Sequence, residues 1–265
     1  MDIFDDTIKQ IKQWFNQKGN EGNVWQYFTP TSAQKIRTHS QNINQAGTNP
    51  PLILKEDTCL ELGHPSVGSC NMTLATHNPS LVENGRITLV GPEISAMKTP
   101  KVPFAQLVIV CCQGDIGDTS SKMDRELHLF VQSDGYMIRS MPNLIWARVS
   151  KDAVRSGFSI KELGSRILDS LSFEFQDITK AEVFFVTSSR EDVSALNDIV
   201  EAARGRLRKL LAFNVADDGT YECTLALDCN ECPEQPVCDS IREVIKIRKG
   251  DRIITFGQDA VSETN

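Results

Sequence analysis

No stretch of this chain is apolar over the roughly twenty residues that a membrane-crossing helix needs; the longest mainly apolar run is Phe104 to Cys112. Membrane-spanning roles are therefore not expected. A basic surplus is missing as well. The chain has 28 Lys and Arg against 35 Asp and Glu, a formal net charge of −7 and an isoelectric point near 5.2. Phosphate contacts need a basic surface, so general nucleic-acid binding is not expected either. The four histidines, His39, His64, His77 and His128, include no pair at a ligand spacing such as His-x3-His. Gly-x-Ser-x-Gly, phosphate-loop and dinucleotide fingerprints are absent, which leaves hydrolase, NTPase and nicotinamide readings without support. The start, Met1-Asp-Ile-Phe-Asp-Asp6, lacks the basic and apolar regions of a secretory signal. A reducing, cytoplasmic setting with unpaired thiols is the expectation.

Against these absences stands one concentration of chemistry. Of the eight cysteines, Cys223, Cys229, Cys232 and Cys238 fall within sixteen residues, as Cys-x5-Cys-Asn-Glu-Cys-Pro-Glu-Gln-Pro-Val-Cys. Four soft thiolates suit a tetrahedral zinc ion or an iron–sulfur cube. The Cys-x2-Cys pair, Cys229 and Cys232, is the local chelate, and Pro233 and Pro236 stiffen the loop toward Cys238. A zinc ribbon needs two such pairs, and only one is present. The alternatives are redox-active or structural thiols. Cys111 and Cys112 are neighbours whose side chains take opposite faces of a strand, so they read as core thiols rather than as a chelate. Cys59 and Cys70, with His64 between them, form a weaker candidate for a second metal site on spacing alone.

At 265 residues, with 40% hydrophobic and 24% charged side chains, the chain is long enough for one large or two smaller domains. Ile8, Ile11 and Trp14 or Phe15 recur at helical spacing behind Asp5 and Asp6, which predicts an amphipathic N-terminal helix. Residues 19–51 turn polar and read as irregular connections around one apolar piece, Val24 to Phe28. Strands are expected at 52–54, 59–62, 70–74, 86–90 and 107–112, the last as a central strand, with Asn84-Gly85 as a turn. Beyond Asp115 the period predicts a helix over 121–131, a strand over 144–149, a helix opened by Ser159 or its neighbours, a strand over 181–187, and a long helix capped by Ser188 or Ser189 with Val193, Leu196, Val200, Ala203, Leu207 and Leu210 on its inward face. The fold class expected is α+β, a mixed sheet over 52–187 with packed helices and a C-terminal cysteine-rich metal or cluster loop. The expected partition is an N-terminal helix and irregular segment (1–50), an α+β domain (51–212), and a cysteine-cluster segment with tail (213–265). Residues 241–248 read as either helix or strand.

Four groups of residues carry a family resemblance. They are Cys59-Leu-Glu-Leu-Gly-His-Pro65; Val82-Glu-Asn-Gly-Arg-Ile-Thr-Leu-Val-Gly-Pro-Glu-Ile94; Trp146-Ala-Arg-Val-Ser-Lys-Asp-Ala153 with Gly157-Phe-Ser-Ile-Lys-Glu-Leu-Gly164; and Tyr221-Glu-Cys223 leading into the cysteines. In order and spacing they resemble the catalytic (beta) subunit of carbon monoxide dehydrogenase/acetyl-CoA synthase over roughly residues 55–240. In that family the corresponding cysteines hold a cubane iron–sulfur cluster bridged to a two-nickel centre. The resemblance implies that Cys229, Cys232 and Cys238 are cluster ligands, with Cys223 supplied as the fourth by proximity. The family's downstream Cys-x-Cys peptide for the outer nickel has no counterpart after Cys238, so a complete acetyl-CoA synthase is not expected of this chain alone. A family aromatic residue implicated in coenzyme A contact aligns with Met137, beside Tyr136.

Three readings follow. The first is an acetyl-CoA-synthase-like protein of anaerobic one-carbon metabolism, carrying a [4Fe-4S] cluster on Cys223, Cys229, Cys232 and Cys238 for electron transfer or for docking on a corrinoid protein or methyltransferase. The second is coenzyme A or nickel chemistry completed by a partner subunit. Here Arg204, Arg206, Arg208, Lys209, Arg242, Lys246, Arg248 and Lys249 would meet phosphates instead of forming solvated faces. The third is a zinc-stabilised interaction module.

Overall fold

The structure is a computed structural model, and it describes residues 2–22, 24–29, 52–131, 135–141, 144–212, 214–215 and 221–222. The chain divides into two compact units, residues 1–203 and 204–265. Two sheets form the framework of the first. The larger has the order β1 (Val24–Phe28), β4 (Arg86–Val90), β9 (Ile178–Val186), β6 (Phe104–Cys112) and β3 (Ser69–Thr76). It is mixed: β4 runs parallel to β9 and β3 parallel to β6, while β1–β4 and β6–β9 are antiparallel. The smaller has the order β5 (Lys101–Val102), β2 (Thr58–Leu62), β8 (Leu144–Ser150) and β7 (Tyr136–Met141). There β2 is parallel to β5 and antiparallel to β8, and β7 is antiparallel to β8.

The unbroken apolar run that singles out residues 107–112 becomes β6, an interior strand with all nine residues buried. A strand covered on both faces has no solvent side to mark with polar residues. Successive residues of β9 serve the two faces. On one, Phe184 meets Phe15 of α1 (Asp5–Asn20) with ring centroids 4.7 Å apart. On the other, α4 (Ile160–Glu174) comes so close to β4 that a Cβ on Gly164 would lie 2.8 Å from Ile87. Helix α2 (Ile116–Val131) packs on β3 and on α4. A single turn of helix, α3 (Lys151–Arg155), follows β8 directly. Helix α5 (Arg190–Ala212) buries Val193, Leu196, Val200 and Ala203 of the face that the sequence assigns inward; the side chains of Leu207 and Leu210 lie outside those described.

Strand β9 carries a charge into this apolar frame. Glu182 on β9 is fully buried and meets Lys12 of α1 at 2.6 Å and Arg86 of β4 at 2.7 Å. Burying a carboxylate is costly unless cations and hydrogen bonds offset its lost hydration, and here two cations from separate elements converge on it.

The α+β class, with mixed sheets and packed helices, is as expected. Several elements differ. In place of one mixed sheet there are two, because β2, β5, β7 and β8 pair among themselves. Leu52 to Leu54 is not a strand: Ile53 is buried, and its carbonyl accepts a bond from the Arg148 guanidinium where a strand neighbour would stand. Val24 to Phe28, read as part of an irregular connection, is edge strand β1. Helix α2 starts at Ile116 rather than near 121, and Ser120 near its start accepts the Ala75 N–H of β3 at 3.1 Å. Strand β7 was not anticipated. The N-caps came out as read: Ser159 accepts the Glu162 N–H, and of the two candidates for α5 it is Ser189 that accepts the Asp192 N–H. Among the described residues no helix is long and apolar enough to cross a membrane.

One side chain ties the two sheets together directly. The Ser69 hydroxyl donates to the Ile145 carbonyl at 2.6 Å and accepts the Ile145 N–H at 2.8 Å, so β3 is tied to β8. Gly63, directly after β2, presses on the same carbonyl with φ +70°, and a Cβ there would lie 2.1 Å from the oxygen. No side chain fits that gap, and the backbone conformation disfavours one as well. Gly63→Ala is therefore expected to lower unfolding stability by more than about 2 kcal/mol. Urea titration of the variant against the wild type checks this.

Candidate functional site

Helix α5 ends at Ala212, and a short antiparallel pair follows, β10 (Asn214–Val215) with β11 (Tyr221–Glu222). Cys223 is the next residue. Cys223, Cys229, Cys232 and Cys238 all lie outside the described residues, as do Arg242, Lys246, Arg248 and Lys249 and the 241–248 stretch. Of the basic residues near the end of α5, Arg204 is buried, which removes it from a solvated charged face, and Arg206 is exposed.

The described motif residues come together in pairs. Cys59–Pro65 and Trp146–Ala153 are apart in sequence and adjacent in the four-stranded sheet, where Glu61 is the register partner of Arg148. The Arg148 Nε donates to Glu61 at 3.3 Å, and its guanidinium lies 5.1 Å from the centre of the Trp146 ring. The His64 ring stands edge-on to Trp146 at 5.9 Å. Its Nδ1 accepts the Ser66 N–H at 3.1 Å, so the neutral ring carries its proton on Nε2, 4.0 Å from Glu61. Glu61, His64, Trp146 and Arg148 thus form one half-exposed patch in which each group constrains the next.

Gly91-Pro-Glu-Ile94 and Gly157–Gly164 form the second pair. The Glu93 carboxylate accepts the Ile160 N–H at 2.8 Å and the Lys161 N–H at 3.1 Å, so it sits on the first amides of α4 beside the Ser159 cap. An anion there complements the unpaired donors and the helix dipole. Tyr27 of β1 also bonds Glu93; burial first, then the charge of Glu93, raises its phenol pKa. Gly91, at φ +111°, would place a Cβ 2.5 Å from the Ser188 nitrogen, so the strand end abuts the start of α5.

Met137 and Tyr136 lie on β7, and both are buried, Met137 at 6% exposure and Tyr136 at 0%. Tyr136 packs on Phe158 at 5.3 Å, and burial pushes its phenol far above the ordinary tyrosine range. The position aligned with a coenzyme A contact is therefore inside the fold. Cys111 and Cys112 are buried strand thiols, as their adjacency implies, and burial raises the pKa of Cys112. Cys70 is buried and Cys59 half-buried; among the described residues no group of three or more His, Cys, Asp or Glu is placed to hold a metal. The second-site candidate at Cys59, Cys70 and His64 is thereby set aside.

One cluster has no counterpart in the sequence reading. His77, directly after β3, points its Nε2 at the Gly114 carbonyl at 3.0 Å and its Nδ1 at Asp2 at 3.4 Å. The Asp2 carboxylate also accepts the His77 backbone N–H at 2.6 Å, and Thr76 donates to Asp5 at 2.7 Å. Acceptors at both ring nitrogens favour the imidazolium. The Gly114 carbonyl raises the His77 pKa most; burial opposes it, and the hydrogen bond and charge of Asp2 add to the rise, so the pKa is raised. For Asp2, burial opposes ionisation, but the His77 amide, ring and charge outweigh it and the pKa is lowered. The sequence signal was slight: an acidic N-terminus and one histidine at a strand end.

The linkage has a definite sign. A raised histidine pKa contributes stability that is fully present below its unfolded value near 6.5 and is lost as pH rises through the folded value. His77→Ala is expected to destabilise the chain more at pH 6 than at pH 8.5. Thermal melts of variant and wild type at both values check the difference.

A family model described as CO dehydrogenase/acetyl-CoA synthase complex beta subunit matches residues 50–193. Among curated relatives, the carbon monoxide dehydrogenase/acetyl-CoA synthase subunit alpha of Moorella thermoacetica is 28% identical over 87% of this chain and 32% of its own length. The acetyl-CoA decarbonylase/synthase complex subunit beta of Archaeoglobus fulgidus is 26% identical over 71% of this chain and 38% of its own. The protein of the same description from Methanothermobacter thermautotrophicus is 33% identical over 59% of this chain and 34% of its own. The chain thus spans about a third of the length of these relatives.

Proposed function

The chain belongs to the family of the CO dehydrogenase/acetyl-CoA synthase complex beta subunit, and from that membership we propose that it is an iron–sulfur protein of anaerobic one-carbon metabolism. The observation that carries the reading is continuity. The matched segment, residues 50–193, leads in the same polypeptide to four thiols within sixteen residues, with Tyr221 and Glu222 of β11 directly before the first. The paired motifs support it, because Glu61 with Arg148 and Glu93 with the start of α4 give those segments defined structural partners.

Cys223, Cys229, Cys232 and Cys238 are the ligands of a [4Fe-4S] cluster in this reading. The donor set fits: four thiolates, with a Cys-x2-Cys chelate at its centre, are the ligand type and number such a cluster takes. When bound, the cluster supplies single-electron transfer at a potential set by its surroundings. The relatives are named as subunits, two of them of a complex. By that likeness the chain works beside another protein, a corrinoid protein or methyltransferase being the partner proposed.

The protein is purified without oxygen, and iron, acid-labile sulfide, zinc and nickel are measured per chain, with an electron paramagnetic resonance spectrum after reduction. About four irons and four sulfides are expected. Cys229→Ser is expected to lose most of both while retaining the far-ultraviolet circular dichroism of the wild type. Zinc alone, or no metal, overturns the cluster and leaves a structural module. Failure to co-sediment with a corrinoid protein overturns the partner and not the cluster.

A further inference from the structure

Strand β1 closes one end of the five-stranded sheet, with β4 on one side and no strand on the other among the described residues. Its backbone geometry is fixed by one hydrogen bond. Thr29 N–H donates to the Gly85 carbonyl at 2.9 Å, one step beyond the Phe28–Arg86 register pair. Peptide groups of an extended strand alternate between its two sides. If Thr29 faces β4, so do Tyr27 and Trp25, and the N–H and C=O groups of Val24, Gln26 and Phe28 face outward. The opposite side of the sheet fits this assignment: the Val90 carbonyl, two steps from Thr88 on β4, accepts the Thr187 N–H that follows β9.

Natural edge strands are usually protected by a charged residue, a proline, a bulge or a covering element. The five residues Val-Trp-Gln-Tyr-Phe include no charge and no proline, and their register with β4 is unbroken. Trp25 is 56% exposed and Phe28 60% exposed.

We propose that β1 is a self-association edge, on which a second copy of this chain pairs its own β1 antiparallel about a twofold axis through Gln26. That axis sets Gln26 opposite Gln26 of the second copy, Val24 opposite Phe28, and Trp25 opposite Tyr27. The outward peptide groups at 24, 26 and 28 are then the ones that meet, as a ladder requires. A twofold pairing needs a self-complementary patch, and an uncharged strand with an amide at its centre sets no like charges face to face. The aromatic pairs add cross-strand contacts on each side of the axis. A five-residue ladder with two part-exposed aromatics per copy falls short of the roughly 800 Å² per partner of a standard interface, so the pairing belongs to the weak, concentration-dependent class. With each copy at a net charge of −7, added salt strengthens it by screening.

Sedimentation equilibrium of the full chain under anaerobic conditions, from low to several hundred micromolar, is combined with residue-resolved hydrogen exchange. The expected mass rises from 29.5 kDa toward twice that value. The amides of Val24, Gln26 and Phe28 are expected to gain protection with concentration, whereas those of Trp25 and Tyr27 are protected throughout by β4. Gln26→Lys sets like charges across the axis and is expected to weaken association at least tenfold. Gln26→Thr, which favours strand and leaves the backbone groups in place, is expected to retain it. A monomer at every concentration overturns the proposal, as does association that Gln26→Lys leaves unchanged. Protection at 24, 26 and 28 that is already complete in the dilute chain also overturns it, because the edge is then covered from within.

Discussion

A single carboxylate sealed in the five-stranded sheet sets the terms for what packs on it. Glu182 sits in β9 amid Ala181, Val183, Phe184 and Phe185, and its charge is tolerable there because Lys12 and Arg86 both reach it. Arg86 is bound into the same arrangement by Glu83 and by its position 5.6 Å from the Phe184 ring. A buried ion pair is weak evidence for net stability, since desolvation opposes its attraction. Its force is in specification. A one-residue slip of β9 against β4 would turn Glu182 to the other face of the sheet, away from both cations and onto the side of α4. The pairing therefore fixes where α1 lies, which face of β9 it covers, and in which register the parallel β4–β9 pair forms.

The same economy governs the residues that mark the family. Four of them hold elements together: Gly63 admits the Ile145 carbonyl, Arg148 spans β2 and the Ile53 carbonyl, Gly164 lets α4 approach Ile87, and Glu93 fastens the start of α4. These are scaffold duties. The chemistry proposed for the protein rests on the thiols beyond Glu222, to which this scaffold is joined in sequence.

What the sequence made legible was local. The apolar run of β6, the spacing of Ile8, Ile11 and Phe15, and the caps Ser159 and Ser189 each obey a rule with a period or a fixed offset. The partition into two sheets was not legible, because it depends on which strands pair, and short strands such as β2, β5 and β7 carry no partner label. Leu52 to Leu54 has strand composition and no strand, since the Arg148 guanidinium takes the carbonyl of Ile53. For β1 the misleading signal was its polar, Gly- and Asn-rich setting. The charge at Glu182 was visible as a lone acid in an apolar run, but its two cations come from distant parts of the chain. The motif pairs could be seen only as separate strings, and their meeting across β2 and β8 is a property of the fold.

A last consequence concerns the helix that Glu93 caps. Exposed amides at a helix start attract phosphate, and many nucleotide sites are built on nothing more than that vacancy. At α4 the vacancy is filled from within the polypeptide: a carboxylate from the loop after β4 rests on the Ile160 and Lys161 amides, and the Ser159 hydroxyl takes the Glu162 amide. The helix is supplied with its own counter-anion and has no donors left over for a foreign one. Selectivity is thereby written into the scaffold as a refusal, and a phosphate-bearing ligand would have to find its recognition away from the start of this helix.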